Sequence, residues 1–169
     1  DNYSPLKEAI EACNPSESYT IVAKQDDSIL GEVAIIWDND RSITLSSDSG
    51  GPYKITQTQS NEKRHLHVYG GTNTTLTLEN ITLEGTGTAS GTEKNGGVRI
   101  GYNANLIMGS GSVIQKCYWD NGGGIFAQDG TVTINGGSIK NNEAEHYGGG
   151  IHGSSKAAIT INSGSNITH

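Results

Sequence analysis

The chain nearly repeats itself. Asp120-Asn121-Gly122-Gly123-Gly124-Ile125-Phe126 returns as His146-Tyr147-Gly148-Gly149-Gly150-Ile151-His152, and each copy leads into a second apolar dyad, Val132 to Ile134 and then Ile159 to Ile161. A third follows at Ser138-Ile139 and Asn166-Ile167. A period of about 26 residues marks stacked units rather than a self-contained globule. Weaker copies lie upstream: Gly96-Gly97-Val98-Arg99-Ile100, Leu106 to Val113, Leu76 to Leu83, and His65-Leu66-His67-Val68.

Each segment is short, alternates apolar with polar, and is bounded by Gly, Asn, Asp or Ser, which reads as a strand with one buried face. Three such strands per unit cannot bury their apolar faces alone, so each turn must lie on its neighbour. The expected fold is all-β: a parallel β-helix of about five turns, with Ile, Val and Leu laddered inside. Composition agrees, since 33% hydrophobic residues is lean for a globule and the 24 glycines follow no every-third-residue rule.

The start differs. Ser4 at N-cap, Pro5 at N1 and Leu6, Ala9, Ile10 and Cys13 at helical spacing predict a short amphipathic helix over 4–13. Placed before the first strand, Tyr19 to Ala23, it would cover the open end of the first layer, with Cys13 as a small buried hydrophobe. The chain thus reads as one segment over 1–169, with stacked turns over 19–169, cut from a longer polypeptide. Several layers separate Cys13 from Cys117, which argues against a disulfide between them.

Helix-then-strands followed by units ending in Gly122-Gly123-Gly124-Ile125 and Gly148-Gly149-Gly150-Ile151 resembles the right-handed parallel β-helix proteins of the pectate-lyase-like superfamily. The chain looks closest to the GGxI-repeat bacterial surface adhesins related to chlamydial polymorphic outer-membrane proteins, with Lys140-Asn141-Asn142 at that family's asparagine motif. The resemblance covers residues 76 to 169. It implies a secreted or cell-surface location and an adhesive role.

Aligning the units by their glycines turns Val98, Ile125 and Ile151 inward and puts Arg99, Phe126 and His152 on the outside, continued by His67. A flat ladder of cation, aromatic and imidazole would stack on sugar rings and donate hydrogen bonds, while a bland exposed strand face is the alternative. The bends before the glycines add Trp119 and Tyr147, expected to flank one groove with Asp120 and His146 in register, or else to pack over a corner. The expected ligand is a glycan or host surface protein; a spacer role stands beside it.

An enzyme of the lyase or hydrolase type needs stacked or paired carboxylates, which this ladder lacks, so catalysis is the alternative reading. Calcium would find oxygen ligands in Asp38-Asn39-Asp40 with Asp26, Asp27 and Asp48, although the spacing fits no EF-hand and a solvated turn is expected; no other cofactor is implied. Gly-Thr-Gly-Thr at 85 to 88 and Gly-Ser-Gly-Ser at 109 to 112 lack a phosphate-loop lysine and read as bends. A net charge of -7 argues against nucleic acid as partner, and no apolar stretch is long enough to span a membrane. An uncapped last turn would favour end-to-end self-association.

Overall fold

The computed structural model describes residues 5–29, 34–36, 40–58, 62–86 and 93–168. Ser4, Asp38, Asn39 and residues 87 and 88 lie outside the described residues. Helix α1 (Pro5–Glu11) precedes β1 (Ser18–Ala23), β2 (Asp27–Ile29) and β3 (Ala34–Ile36), which make the first turn. The second turn has β4 (Ser42–Ser47), β5 (Tyr53–Gln57) and β6 (Leu66–Val68); the third has β7 (Thr75–Glu79), β8 (Ile81–Glu84) and β9 (Val98–Gly101). The fourth runs through β10 (Asn105–Met108), β11 (Val113–Gln115), β12 (Tyr118–Asn121) and β13 (Ile125–Gln128). The fifth runs through β14 (Thr131–Ile134), β15 (Ser138–Lys140), β16 (Glu143–Tyr147) and β17 (Ile151–Ser154), and β18 (Ala158–Ile161) and β19 (Asn166–Thr168) lie on top.

Equivalent strands pair in parallel. β1, β4, β7, β10, β14 and β18 form sheet A; β2, β5, β8, β11, β15 and β19 form sheet B; β3, β6, β9, β13 and β17 form sheet C. The expected parallel β-helix of about five turns is therefore the architecture, and at about 4.8 Å per layer six strands span roughly 24 Å. The inner ladders follow from the alternation in sequence. Ile43, Leu76, Leu106 and Val132 stack in sheet A, Leu83, Ile114 and Ile139 in sheet B, and Leu66, Val98 and Ile125 in sheet C. All ten are buried, each contributing about 1.5–3 kcal/mol through removal from water. In the uppermost row, by contrast, Ile161 is 55% exposed and its partner Ile134 is fully covered.

Helix α1 does what its apolar stripe predicts, within Pro5–Glu11 rather than 4–13. Leu6, Ile10 and Cys13 join the same core as Ile29 and Ile43, and the Cys13 thiol donates to Ala9 O at 3.2 Å. Cys13 and Cys117 are separate free thiols, both buried.

One element exceeds expectation. The stretches before the triple glycines, read as bends, form a two-stranded sheet from β12 and β16. Its register shifts between Trp119 and Asn121, so Trp119 faces Ala144 and Asn121 faces Tyr147. Trp119 and Tyr147 are therefore not paired across these two strands, where a bulge adds a residue to β16.

The triple glycines are required by two different constraints. Gly122 and Gly148 take φ of 61° and 63°, in the left-handed region. Gly123 and Gly124 are needed for space. A Cβ on Gly123 would lie 2.1 Å from Glu143 O, and one on Gly124 would lie 2.7 Å from Gly150 O. Backbone runs directly over backbone there, with Gly124 N–H donating to Gly149 O and Ile125 N–H to Gly150 O.

Candidate functional site on sheet C

Parallel register settles which outward residues are neighbours. His67 pairs with Arg99, Arg99 with Phe126, and Phe126 with His152. The four form one column across β6, β9, β13 and β17. Phe126 and His152 stack at 5.7 Å with an interplanar angle of 11°, and Tyr147, 66% exposed, stacks on His152 at 5.7 Å and 24°. The Arg99 guanidinium sits 5.4 Å from the Phe126 ring and 5.9 Å from that of Tyr69, within cation–π range. Its Nη2 donates to Gln128 Oε1 at 2.8 Å.

A second column, unforeseen in the sequence, completes the face. Two residues beyond the ladder, Gly101 pairs with Gln128 and Gln128 with Ser154, while Tyr69, just past β6, lies beside Gly101. A Cβ on Gly101 would lie 2.9 Å from Tyr69 Cδ1, so the missing side chain is what lets the Tyr69 ring lie against the strand. Tyr69 meets His67 and Tyr102 edge-on, both at 5.5 Å. Tyr69, Arg99, Gly101, Tyr102, Gln128 and Asp129 enclose a cavity of about 310 Å³. Tyr102 and Asp129 occupy the corner into sheet A with φ of 52° and 57°, which swings their side chains to the rim.

Trp119 is placed elsewhere. Its Nε1 donates to Gly96 O at 2.8 Å, and its ring lies 4.4 Å beneath the guanidinium of Arg64. It packs a corner rather than presenting a face. Arg64, from the second turn, reaches into the fourth: Nη1 donates to Gly122 O and Nη2 to Asn121 O, each at 2.9 Å. Burial pushes its pKa down to about 9. Carbonyls, not a carboxylate, satisfy this buried cation, and nothing in the spacing of the repeat announces it.

His65 is a structural histidine. Gly97 N–H donates to its Nδ1 at 2.9 Å, so the neutral ring carries its proton on Nε2, which lies 3.1 Å from both Ile55 O and Glu84 O. Burial holds its pKa at about 4. His67 is held at about 4 as well, first by burial and then by the cations Arg64, Arg99 and Lys63. Its imidazole is neutral at pH 7 and offers one donor and one acceptor.

Acids cluster away from the ladder. Asp120 and Glu145 both pair with Lys94, the latter at 3.3 Å, and Lys94 holds the Asp120 carboxyl below the usual range. Glu84 pairs with Lys54 and Lys116 on sheet B at 3.2 and 3.3 Å. Of the acids considered for calcium, Asp26 Oδ1 accepts Lys54 N–H and Asp48 Oδ1 accepts Gly50 N–H. Among the described residues no group of three His, Cys, Asp or Glu is placed to hold a metal ion. Among the described residues no helix is long and apolar enough to cross a membrane. No family model, curated protein or solved structure matches the chain.

Proposed function

We propose that this chain is a non-catalytic module of a secreted or cell-surface bacterial protein, adhesin-like, that binds a glycan or a glycan-bearing host protein through the outer face of sheet C. One observation carries the reading: a column of cation, aromatic and imidazole side chains in strict register, flanked by an aromatic-walled cavity. Aromatic faces stack on the apolar faces of sugar rings, and Arg99, Gln128 and the neutral His67 supply donors and acceptors for hydroxyls. A parallel solenoid supports such a site well, because its strands hold the side chains rigidly at a repeat of about 4.8 Å. The likeness of the triple-glycine units to GGxI adhesin repeats points the same way.

A glycan array tests this. Binding to a defined glycan set is expected, and it should be lost when Arg99, Phe126 and His152 are changed together to alanine. Binding that survives the triple change moves the site off sheet C. Complete silence on the array favours a spacer. Release of new reducing ends or unsaturated products from polysaccharides, with or without calcium, would show an enzyme instead.

A further inference from the structure

Sheet C presents the cation Arg99 on an acidic chain. None of the outward residues of β6, β9, β13 and β17, namely His67, Arg99, Phe126, Gln128, His152 and Ser154, is an acid. Off this face several lysines are matched by acids: Lys54 and Lys116 by Glu84, Lys94 by Asp120 and Glu145. Among the described residues no carboxylate lies within ion-pair distance of Arg99 or of the buried Arg64. The side-chain hydrogen bond of Arg99 goes to the neutral amide of Gln128, and its Nε is buried without a hydrogen-bond partner. Asp129, at the rim, already has one oxygen accepting Lys156 N–H at 3.1 Å. The net charge of -7 therefore describes the chain as a whole and not the field over sheet C.

We infer that the cavity beside Arg99 takes an oxyanion carried by a saccharide, a sulfate ester or a carboxylate, bound directly by the guanidinium with no bridging metal. This rests on the glycan-binding reading of sheet C and names its ligand class. A planar guanidinium with one terminal nitrogen engaged still presents a fork to an oxyanion, and such charge-assisted bonds are about twice as strong as neutral ones. At about 310 Å³ the cavity is at the small end of ligand pockets, suited to one sugar unit while its neighbours run along Phe126 and His152. Tyr69 and Tyr102 wall it, narrowing it against polymers with bulky side groups.

Titration calorimetry with dextran sulfate, carboxymethyl dextran and unmodified dextran of equal length tests the inference in the presence of EDTA. Both charged polymers are expected to bind at least about tenfold tighter than dextran, and the difference should shrink as salt is raised. The stronger of the two identifies the source of the oxyanion. Arg99→Met should abolish the preference. Arg99→Lys, with the charge but not the fork, should keep part of it, and Thr77→Ala on sheet A should keep all of it. Equal binding of all three polymers overturns the inference and leaves the glycan reading standing, whereas dependence on calcium overturns the direct contact. Tighter binding of a single-stranded oligonucleotide overturns the saccharide. Failure of every polymer together with a silent glycan array overturns both readings.

Discussion

Sheets A and C are built on one plan and present different chemistry. Both stack parallel strands in register over an unbroken apolar ladder. The outward positions of sheet A repeat hydroxyls, with Thr20, Thr44, Thr77, Thr133 and Thr160 in one column interrupted by Ile107. The matching column of sheet C reads His67, Arg99, Phe126, His152. Threonine is the residue a pleated exposed strand favours on structural grounds. Sheet C departs from that background in every row, and departure from the background is what separates a site from a scaffold.

The comparison can be broken at its shared base first. Gly123→Ala forces a Cβ against two carbonyls, at 2.1 and 2.5 Å, and should cost more than about 3 kcal/mol in urea denaturation. Gly150→Ala one turn later, where the nearest atoms are side-chain carbons at 3.4 Å, should cost far less. Next, Leu76→Ala in sheet A and Ile100→Ala in sheet C should each lose about 2–5 kcal/mol, because both are fully buried in the same core. A marked difference between them would mean that the sheets do not share one core.

Acid should act on sheet C. His65 takes a proton near pH 6.5 when unfolded and only near pH 4 when folded, so the unfolded chain binds more protons between those values. Stability should therefore fall as pH drops from 6.5 to 4, by up to roughly 3 kcal/mol from His65, and His67, also held at about 4, steepens the same slope. Denaturation midpoints at pH 7, 5.5 and 4 check this. His65→Asn should lower stability at pH 7 and reduce the slope to the part His67 contributes. The smallest effects belong to the outer faces: Thr44→Ala, Thr77→Ala and Thr133→Ala should each shift stability by no more than about 0.5 kcal/mol and leave ligand binding intact.

Most of the fold was legible in the sequence because a solenoid writes its register into its period. Once the glycines are aligned, Arg99, Phe126 and His152 fall into one column, and that is where parallel pairing puts them. Of the two readings open for Trp119, corner packing is the one the structure shows; the triplet spacing could not choose between them, because the guanidinium over its ring comes from Arg64, two turns away. Arg64 escaped notice because its carbonyl partners lie two turns away. The cavity was hidden because Tyr69 and Tyr102 meet only through a left-handed corner and a glycine that yields space, both properties of three-dimensional stacking. Hydroxyl-rich strands, in turn, look alike whether or not they touch anything.

The most direct test of the claim that sheet C is the working face is an NMR titration of the isotope-labelled chain with a saccharide that it binds. Shifts should concentrate at Tyr69, Arg99, Tyr102, Phe126, Gln128 and His152 and leave the threonine column of sheet A unmoved. Shifts centred on Thr44, Thr77 and Thr133, with the Arg99 column silent, would contradict the account.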